Sequence, residues 1–470
     1  MEMTTPPPST SAPRTGHRSP KKRKLDVAAA PVDNDNNSDN NDDHDNALDP
    51  DATPRSSRSQ ASSGLAMRFA LPAPPRLPPP PGFVGDDSTA STASASTASV
   101  ASSTKGSRRS ASPVKNIAGL QRLDKPVLFG GLEANAAKSQ LPRDAQQLYH
   151  DIYRVTKFQQ GLFPPEIRRH IEAEYDGQYH PDSVYRPVDE REGGGEEPFF
   201  DYLPVAHLFT NTQEGVSTQS RIAHAEFYRL CAIRDAARQC LALRRAEASW
   251  NSLVHEPLLH LALASRRKFV VCENATSARI LPCFQPSLVT GEVAGAKMVD
   301  FALAPNLASD PDIDSAIQTR LLQMAKQMKS PAGLASLCVN QTDYNPLARF
   351  PTAITVETKV GGGNPEEGRM QLGIWTAAWH KRMETLGVTG RNPPLPLPTL
   401  PLILTHDHEW SLYFAVDRLE RIDICGPMPI GMTDNIPNIY QLLAVLRLLV
   451  TWIETEFRPW IINAFVPPPT

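Results

Sequence analysis

Apolar residues recur at helical spacing along the first part of a segment that begins near Pro142. A spacing of three to four residues between apolar positions is typical of an amphipathic helix with one face packed on a core. Four helices are predicted, and Pro257 is expected to kink the last of them because proline lacks an amide hydrogen. The predicted helices span residues 142–159, 164–175, 219–246 and 247–264.

After residue 264 the pattern changes to short apolar and β-branched runs, which are typical of strands. Four strands are predicted first, then a long helix at 366–387, three more strands, and a final helix at 438–457. This order predicts an α/β fold in which helices flank a central mixed sheet. The predicted strands are 268–275, 278–284, 296–304, 353–360, 400–406, 410–416 and 421–425.

The first 130 residues differ from the rest because Pro, Ser, Thr, Ala, Asn and Asp dominate them. Such a composition buries too little apolar surface to offset the entropy lost on ordering, so we expect a disordered tail. The predicted organisation is a low-complexity tail at 1–130, a helical extension at 131–246 and an α/β domain at 247–470.

A compact basic cluster, Lys21-Lys22-Arg23-Lys24, follows Pro20 in this tail. Consecutive cations on an extended, accessible chain are typical of a nuclear localisation signal that an import receptor binds. We therefore expect a nuclear protein; the alternative is a chance basic cluster in a polar tail.

Net charge argues against a protein that coats nucleic acid through a broad basic face. The chain has 48 Lys and Arg against 51 Asp and Glu, and residues 1–130 hold 16 of the basic but only 13 of the acidic side chains. The remainder is therefore mildly acidic, and contact with nucleic acid should depend on a local site. The six cysteines lack the paired spacing of a zinc site. No apolar run of 18 residues predicts a membrane span, and the stretch 439–453 is interpreted as a core helix.

The residues best suited to chemistry lie in the predicted strand 353–360. Side chains alternate between the two faces of a strand, so Glu357 and Lys359 share one face. In the preceding predicted strand, Asp300 interrupts the apolar run 298–302. Buried acids are rare unless they are paired or bind a metal, so the sequence predicts a metal site at Asp300 and Glu357.

These side chains meet the needs of phosphodiester hydrolysis. Asp300, Glu357 and the main-chain carbonyl of Thr358 offer the hard oxygen ligands that Mg²⁺ or Mn²⁺ prefers. Such a metal polarises a phosphate and lowers the pKa of the attacking water. Lys359 is then expected to activate that water as a base or to stabilise charge on the phosphate. Gln371, on the following helix, is expected to hydrogen-bond the lysine or the water.

At these residues the sequence resembles the PD-(D/E)XK nuclease superfamily, with Asp300, then Glu357-Thr358-Lys359, then Gln371 on the next helix. The resemblance implies a restriction-endonuclease-like core, in which a four-stranded mixed sheet is flanked by helices. It also implies that the active residues lie on the second and third strands.

Longer sequence segments resemble the PD-(D/E)XK nuclease-like domain of fungal proteins, and this resemblance covers roughly residues 142–465. The nuclease-like domain itself is assigned to residues 247–470. These segments are EASWNSLVH, KMVDFAL, ITVETK, QLGIW and EFRPW. Glu247 matches the place where some members supply an additional acidic metal ligand. Val299 stands where the motif has proline. Asp300 and Glu357 are 57 positions apart, which implies an insertion with a helix at 312–329.

Three functions remain open at this point. The leading hypothesis is a Mg²⁺-dependent nuclease that cleaves DNA in the nucleus. The second is a catalytically silent module of the same fold that binds nucleic acid or protein, and the third is a structural protein of chromatin. Many nucleases of this fold act as dimers, so the resemblance also allows a homodimer.

Each candidate residue also has a purely structural interpretation. Glu357 and Lys359 could form an ion pair on a solvent-facing edge strand, and Asp300 could cap a turn or bind an arginine. Gln371 could simply pack on its helix face, together with Trp375.

Two histidine-containing runs have weaker functional interpretations. His406-Asp407-His408 could hold a metal but fits a hairpin turn better. His255 is expected to be a core or surface histidine rather than a base.

Overall fold

The computed structural model describes residues 114–133, 137–174, 181–186, 217–327, 337–388 and 395–466. The basic cluster at 21–24 and most of the predicted loop at 185–200 lie outside the described residues.

Seven strands form one mixed sheet at the centre of the described fold. They are β1 (Val127–Gly130), β2 (Val270–Asn274), β3 (Phe301–Pro305), β4 (Ile354–Lys359), β5 (Leu400–His406), β6 (Glu409–Asp417) and β7 (Ile422–Met432). Their order across the sheet is β1-β7-β6-β5-β4-β3-β2. β1 pairs with β7 and β4 with β5 in parallel, whereas the other neighbours are antiparallel. The three strands predicted near the C-terminus are β5, β6 and β7, which lie side by side and form an antiparallel meander.

Helices flank this sheet. They are α1 (Ile117–Leu120), α2 (Ala137–Gln140), α3 (Arg143–Phe158), α4 (Arg168–Glu174), α5 (Thr218–Ala242), α6 (Glu247–Trp250), α7 (Glu256–Leu263), α8 (Pro311–Gln327), α9 (Asn345–Ala348), α10 (Pro365–Thr385), α11 (Ile436–Trp452) and α12 (Arg458–Phe465). α10 packs on β4 and β5, while α3 and α11 pack on β7. The predicted α/β class, a mixed sheet flanked by helices, is confirmed.

β4 is enclosed along its whole length, because all six of its residues are buried. It has β3 on one side and β5 on the other, and α10 packs over it. An ion pair between Glu357 and Lys359 on a solvent-facing edge strand is therefore excluded. Both charged groups lie inside the fold, where an unpaired charge is costly.

Part of the segment that the composition assigned to a disordered tail has defined structure. Residues 114–130, which the sequence placed in the tail, supply α1 and β1, and Val127 pairs with Ile422 at the start of β7. Val114, Leu120 and Leu123 are buried in the same core. These short apolar groups are stabilised by contacts with the rest of the fold rather than by a local pattern.

Two of the predicted strands need correction. Residues 278–284 form no strand: Ile280 makes one isolated bridge to Thr342, and a 3-10 turn at Pro282–Phe284 follows. Proline has no amide hydrogen for a ladder, which explains the difference. Asp300 lies one residue before β3 and not within it.

The insertion between β3 and β4 carries α8, close to the helix predicted at 312–329. The insertion does not separate the two strands, because β3 and β4 are antiparallel neighbours with Phe301 opposite Val356. Asp300 extends this ladder, since its amide donates to the carbonyl of Val356 at 3.0 Å. Continuing the register by one residue places Asp300 opposite Glu357.

Two long helices each contain one π turn, in which the amide of a residue bonds the carbonyl five positions earlier. In the first, which we call the site helix, α6 and α7 are joined by the π turn Asn251–His255. In the second, the C-terminal helix, α11 and α12 are joined by the π turn Ile453–Phe457. Each turn ends two residues before a proline, Pro257 or Pro459. The expected kink at Pro257 is thus a widened turn.

The C-terminal helix, Ile436–Phe465, is long and apolar enough to span a membrane by length and composition alone. Its most apolar window is 61% buried inside the protein, as in the core helix that the sequence predicted. The helix ends well beyond the predicted residue 457, because the π turn continues it past that position.

Candidate active site

Glu357 and Lys359 project from the same face of β4, as the strand period predicted. The ammonium Nζ of Lys359 donates to Oε1 of Glu357 at 2.6 Å and to the carbonyl oxygen of Thr358 at 2.9 Å. Lys359 is only 8% exposed. A short charge-assisted bond in so enclosed a position fixes both side chains.

Burial raises the pKa of Glu357 well above its usual range, and the nearby carboxylate of Asp300 raises it further, while Lys359 opposes the change. The second oxygen of this carboxylate, Oε2, is buried and has no hydrogen-bond partner among the described residues. A buried carboxylate oxygen without a donor is costly unless a cation or proton faces it. This oxygen is therefore the one most available to a cation.

Burial lowers the pKa of Lys359, but the charges of Glu357, Glu247 and Asp300 outweigh this effect, so its pKa lies above the ordinary value. The lysine therefore carries its positive charge at neutral pH. In this arrangement Lys359 is a hydrogen-bond donor and a source of positive charge.

Asp300 is held by three hydrogen bonds. Its Oδ2 accepts from the amide and the hydroxyl of Thr358, at 2.8 and 2.7 Å, and its Oδ1 accepts from the side-chain amide of Asn251 at 3.0 Å. Among the described residues Asp300 neither caps a turn nor bonds an arginine. Asp300 and Glu357, which are far apart in the sequence, belong to one site.

Glu247 reaches this site from the first residue of α6. Its Oε2 lies 3.6 Å from Nζ of Lys359, and its side chain is 38% exposed. Burial raises the pKa of Glu247, with Lys359 opposing and Asp300 adding to the change. The structure thus brings together four of the sequence-predicted residues, namely Glu247, Asp300, Glu357 and Lys359.

Gln371 lies at the margin and does not bond Lys359. Its Nε2 donates to the carbonyl of Met298 at 3.4 Å, and its Oε1 is buried without a partner among the described residues. Among the described residues no hydrogen bond joins Gln371 to Lys359, whose ammonium bonds Glu357 and Thr358. Gln371 instead holds the segment that leads to Asp300.

α10 approaches the site closely because residue 368 is glycine. A Cβ atom there would lie 2.5 Å from Cδ1 of Leu404, 3.4 Å from Cγ of Lys359 and 3.6 Å from Cγ of Glu357. A larger residue at Gly368 would push the helix away or displace the two charged side chains. From the sequence, the only signal for this role is a glycine within a predicted helix, and Gly368 was not predicted to be part of the site.

The run His406-Asp407-His408 is a hairpin turn, as predicted, with Asp407 at a left-handed φ of 50°. The amide of Asp407 donates to the carbonyl of Lys359 at 3.0 Å, and Oδ1 of Asp407 accepts from the amide of Gly361 at 2.8 Å. This turn holds the end of β4 just beyond the lysine. It supports the site through the backbone.

Asn251 and His255, on the site helix, are further residues that the sequence analysis did not assign to the site. Asn251 bonds Asp300, and His255 Nδ1 lies 2.9 Å from Oδ1 of Asn251. Both side chains are buried. Their spacing of four residues resembles any core stripe of a helix, so the sequence alone gives no signal that separates them from packing residues.

The oxygen donors at this site are of the kind that a hard divalent cation prefers: the carboxylates of Asp300, Glu357 and Glu247 and the carbonyl of Thr358. Within the described residues, no group of three or more His, Cys, Asp or Glu side chains is arranged to hold a metal ion. Both oxygens of Asp300 and one oxygen of Glu357 accept hydrogen bonds from neighbouring side chains or backbone. The oxygen ligands and the negative charge of these residues suit a divalent cation. In the structure, Asp300 and Glu357 are held by hydrogen bonds.

Comparison with known proteins agrees with this geometry. The family model of the PD-(D/E)XK nuclease superfamily matches residues 199–458, which is more than half of the chain and includes Glu247, Asp300, Glu357 and Lys359. No curated protein and no solved structure matches the chain. Superfamily membership indicates a nuclease-type function and contact with nucleic acid. The seven-stranded sheet of this protein is consistent with a restriction-endonuclease-like fold. The chain belongs to the PD-(D/E)XK nuclease superfamily.

Proposed function

We propose that the protein is a Mg²⁺-dependent nuclease that hydrolyses phosphodiester bonds of DNA. The observation that carries this proposal is the 2.6 Å contact between Lys359 and Glu357, with Asp300 across the same ladder. A buried ammonium beside two acids is an unusual arrangement for stability alone, because removing charges from water is costly. It is a useful one for chemistry on a charged phosphate.

Asp300, Glu357, Glu247 and the carbonyl of Thr358 are the groups that would hold the cation. When bound, a divalent cation supplies a Lewis acid for the phosphate and lowers the pKa of a bound water. Mn²⁺ has the same preference for oxygen ligands and is expected to substitute.

The charge of the site favours a bound cation, which would also favour the ionised form of Glu357. Three carboxylates, of Asp300, Glu357 and Glu247, face a single ammonium, that of Lys359. Such a site repels a phosphodiester, and the repulsion is strong where water is excluded. A divalent cation held by these carboxylates would offset the excess negative charge.

Lys359 is proposed to stabilise the negative charge that develops on the phosphate. Its Nζ already donates to a carboxylate and a carbonyl, which is the behaviour of an ammonium. A fixed positive charge in a partly dry site is effective because it needs no reorganisation during the reaction. Gln371 is proposed to act indirectly, by holding the carbonyl of Met298 next to the strand that bears Asp300.

The test is cleavage of single- and double-stranded DNA by the full-length protein with Mg²⁺ or Mn²⁺. Glu357→Ala and Lys359→Ala are expected to lower the rate by at least about a thousandfold, since each removes a group proposed to act on the phosphate or the metal. Matched controls are Glu420→Ala and Lys268→Ala, which change exposed residues at the opposite end of the sheet. Equal cleavage by all variants would contradict the proposal.

A second candidate is a catalytically silent module that binds nucleic acid. It is favoured by one observation: Asp300 is fully engaged by Asn251 and Thr358, so its oxygens are occupied by donors. DNA binding measured by fluorescence anisotropy separates the two candidates. Tight binding without cleavage, unchanged in Glu357→Ala, would identify the silent module.

Nuclear localisation is proposed from the basic cluster at 21–24. Four consecutive cations after a proline fit an import receptor that binds extended basic segments. The full chain fused to a fluorescent protein is expected to lose nuclear enrichment when Lys21, Lys22, Arg23 and Lys24 are replaced by alanine. Replacement of the basic pair Arg108 and Arg109 serves as the control. Unchanged nuclear enrichment in the first variant would reject the signal.

A further inference from the structure

A chain of buried polar side chains leads away from Asp300 into the site helix. Oδ1 of Asp300 accepts from Nδ2 of Asn251 at 3.0 Å, and Oδ1 of Asn251 lies 2.9 Å from Nδ1 of His255. Asn251 is 6% exposed and His255 is fully buried. Buried polar groups are costly unless they are hydrogen-bonded, and here Asp300, Asn251 and Nδ1 of His255 bond one another in a row, while Nε2 of His255 is buried without a partner among the described residues.

The direction of each bond follows from the chemistry of the groups. A carboxylate oxygen of Asp300 only accepts, so Asn251 must present its NH₂ group to it. The opposite orientation of the amide would place two acceptor oxygens against each other. The carbonyl oxygen of Asn251 therefore faces His255, and Nδ1 of that imidazole must carry a hydrogen.

The surroundings of His255 hold its ring in this state. The imidazole stacks on Trp250, with ring centroids 5.9 Å apart, and forms a T-shaped pair with Trp410, with ring centroids 5.4 Å apart. Burial lowers the pKa of His255 to about 3, so the ring is neutral at physiological pH. A neutral imidazole with Nδ1 protonated donates one hydrogen bond, and that bond is made to Asn251.

The π turn places both residues of this chain. Asn251 and His255 are its first and last residues, and the amide of Glu256 closes it by donating to the carbonyl of Asn251. π turns within helices occur frequently at functional sites. The turn lies directly after α6, which carries Glu247 at the same site.

We propose that Asn251 and His255 are positioning residues that fix the carboxylate of Asp300 for a divalent cation. The inference rests on the proposed function of this site. Thr358 holds only one oxygen of Asp300, and Asn251 holds the other, so together they set the plane of the carboxylate. Groups that orient a metal ligand in this way typically change metal affinity by about ten- to a hundredfold.

The test is titration of the full-length protein with Mn²⁺ alone, followed by calorimetry and independent of cleavage. Asn251→Leu removes the donor to Asp300, and His255→Leu removes the donor to Asn251 while leaving the bond to Asp300 possible. His255→Asn retains an N–H close to the position of Nδ1. Ser252→Ala changes the same turn away from the chain, since its hydroxyl bonds the carbonyl of Ser249.

We expect Asn251→Leu and His255→Leu to weaken Mn²⁺ binding by about tenfold or more, His255→Asn to restore most of it, and Ser252→Ala to match wild type. Thermal unfolding of each variant identifies any that fail to fold. If His255→Leu and His255→Asn bind Mn²⁺ equally well, the positioning role is overturned and the proposed function is untouched. If the wild-type protein binds no Mn²⁺, both are overturned.

Discussion

The two π turns of this protein have the same backbone and different side chains. Each is a five-residue turn, each ends two residues before a proline, and each lies within a long helix packed in the core. The turn in the site helix carries Asn251 and His255, which form a polar chain to Asp300. The turn in the C-terminal helix carries Ile453 and Phe457, which are fully buried apolar residues.

In both helices a nearby proline explains the π turn, whereas the neighbouring side chains determine what the turn does. Proline lacks an amide hydrogen and crowds the preceding turn, so a widened turn is one way to keep the helix continuous. Where the turn faces only apolar neighbours, it serves packing. Where it faces a carboxylate of the site, the same geometry delivers hydrogen-bond donors.

The largest expected effect concerns the apolar turn. Phe457→Ala removes a fully buried ring that stacks on Trp460 and packs near Trp452, so unfolding free energy is expected to fall by about 3–5 kcal/mol. Denaturant unfolding measures the change. Phe158→Ala is the matched control, because Phe158 is 60% exposed. A loss for Phe457→Ala no larger than that of the control would show that this turn is not a packing element.

The next effect is specific to the polar turn. The pKa of His255 is about 3 in the folded protein and ordinarily 6.5, so the unfolded chain takes up a proton first as pH falls. Its contribution to stability is present above pH 6.5 and is lost as pH falls towards 3, which amounts to about 2 kcal/mol between pH 7 and pH 5. In His255→Asn the loss of stability over this range should be smaller by that amount. The exposed His150→Asn should leave it unchanged, and an identical pH dependence in His255→Asn would refute the prediction.

A smaller effect distinguishes the two prolines. Pro257→Ala restores an amide hydrogen and permits an ordinary α turn, which would rotate Asn251 away from Asp300. We expect Mn²⁺ affinity to fall by about tenfold, as for other groups that orient a metal ligand. Pro459→Ala alters the second turn in the same way and is expected to leave Mn²⁺ affinity within about twofold. Equal effects of the two substitutions would remove the distinction between the turns.

The smallest effect concerns the ion pair that joins the two regions. Arg266, just after α7, donates to Glu454 of the second π turn at 2.9 Å. Both side chains are partly exposed, so the pair is expected to contribute about 0.2–1 kcal/mol and to weaken with added salt. A double-mutant cycle with Arg266→Gln and Glu454→Gln measures it. A coupling energy well above this range would contradict the prediction of a weak surface ion pair.

The central part of the site could be predicted because it depends on local geometry. The two-residue period of a strand places Glu357 beside Lys359, and a single acid in an apolar run singles out Asp300. The resemblance to the superfamily added Glu247, which the structure places 3.6 Å from the lysine. In each of these cases the signal lies within a few residues of the chain or in a motif.

The rest depends on contacts between distant segments. Asn251 and His255 look like core positions until Asp300 and Trp410 are placed against them. The strand at 127–130 has four residues in a polar neighbourhood, and only its pairing with β7 makes it a strand. Conversely, 278–284 has the composition of a strand but receives one isolated bridge.

The pairing of β1 with β7 also determines how the protein should be handled. A fragment that starts at residue 131 would lack Val127–Gly130 and would expose the backbone donors and acceptors of β7 that these residues cover. An open strand edge of this kind recruits other strands, so such a fragment is expected to aggregate. It would also lose the buried side chains of Val114, Leu120 and Leu123. A soluble fragment should therefore begin before Val114, within the low-complexity segment.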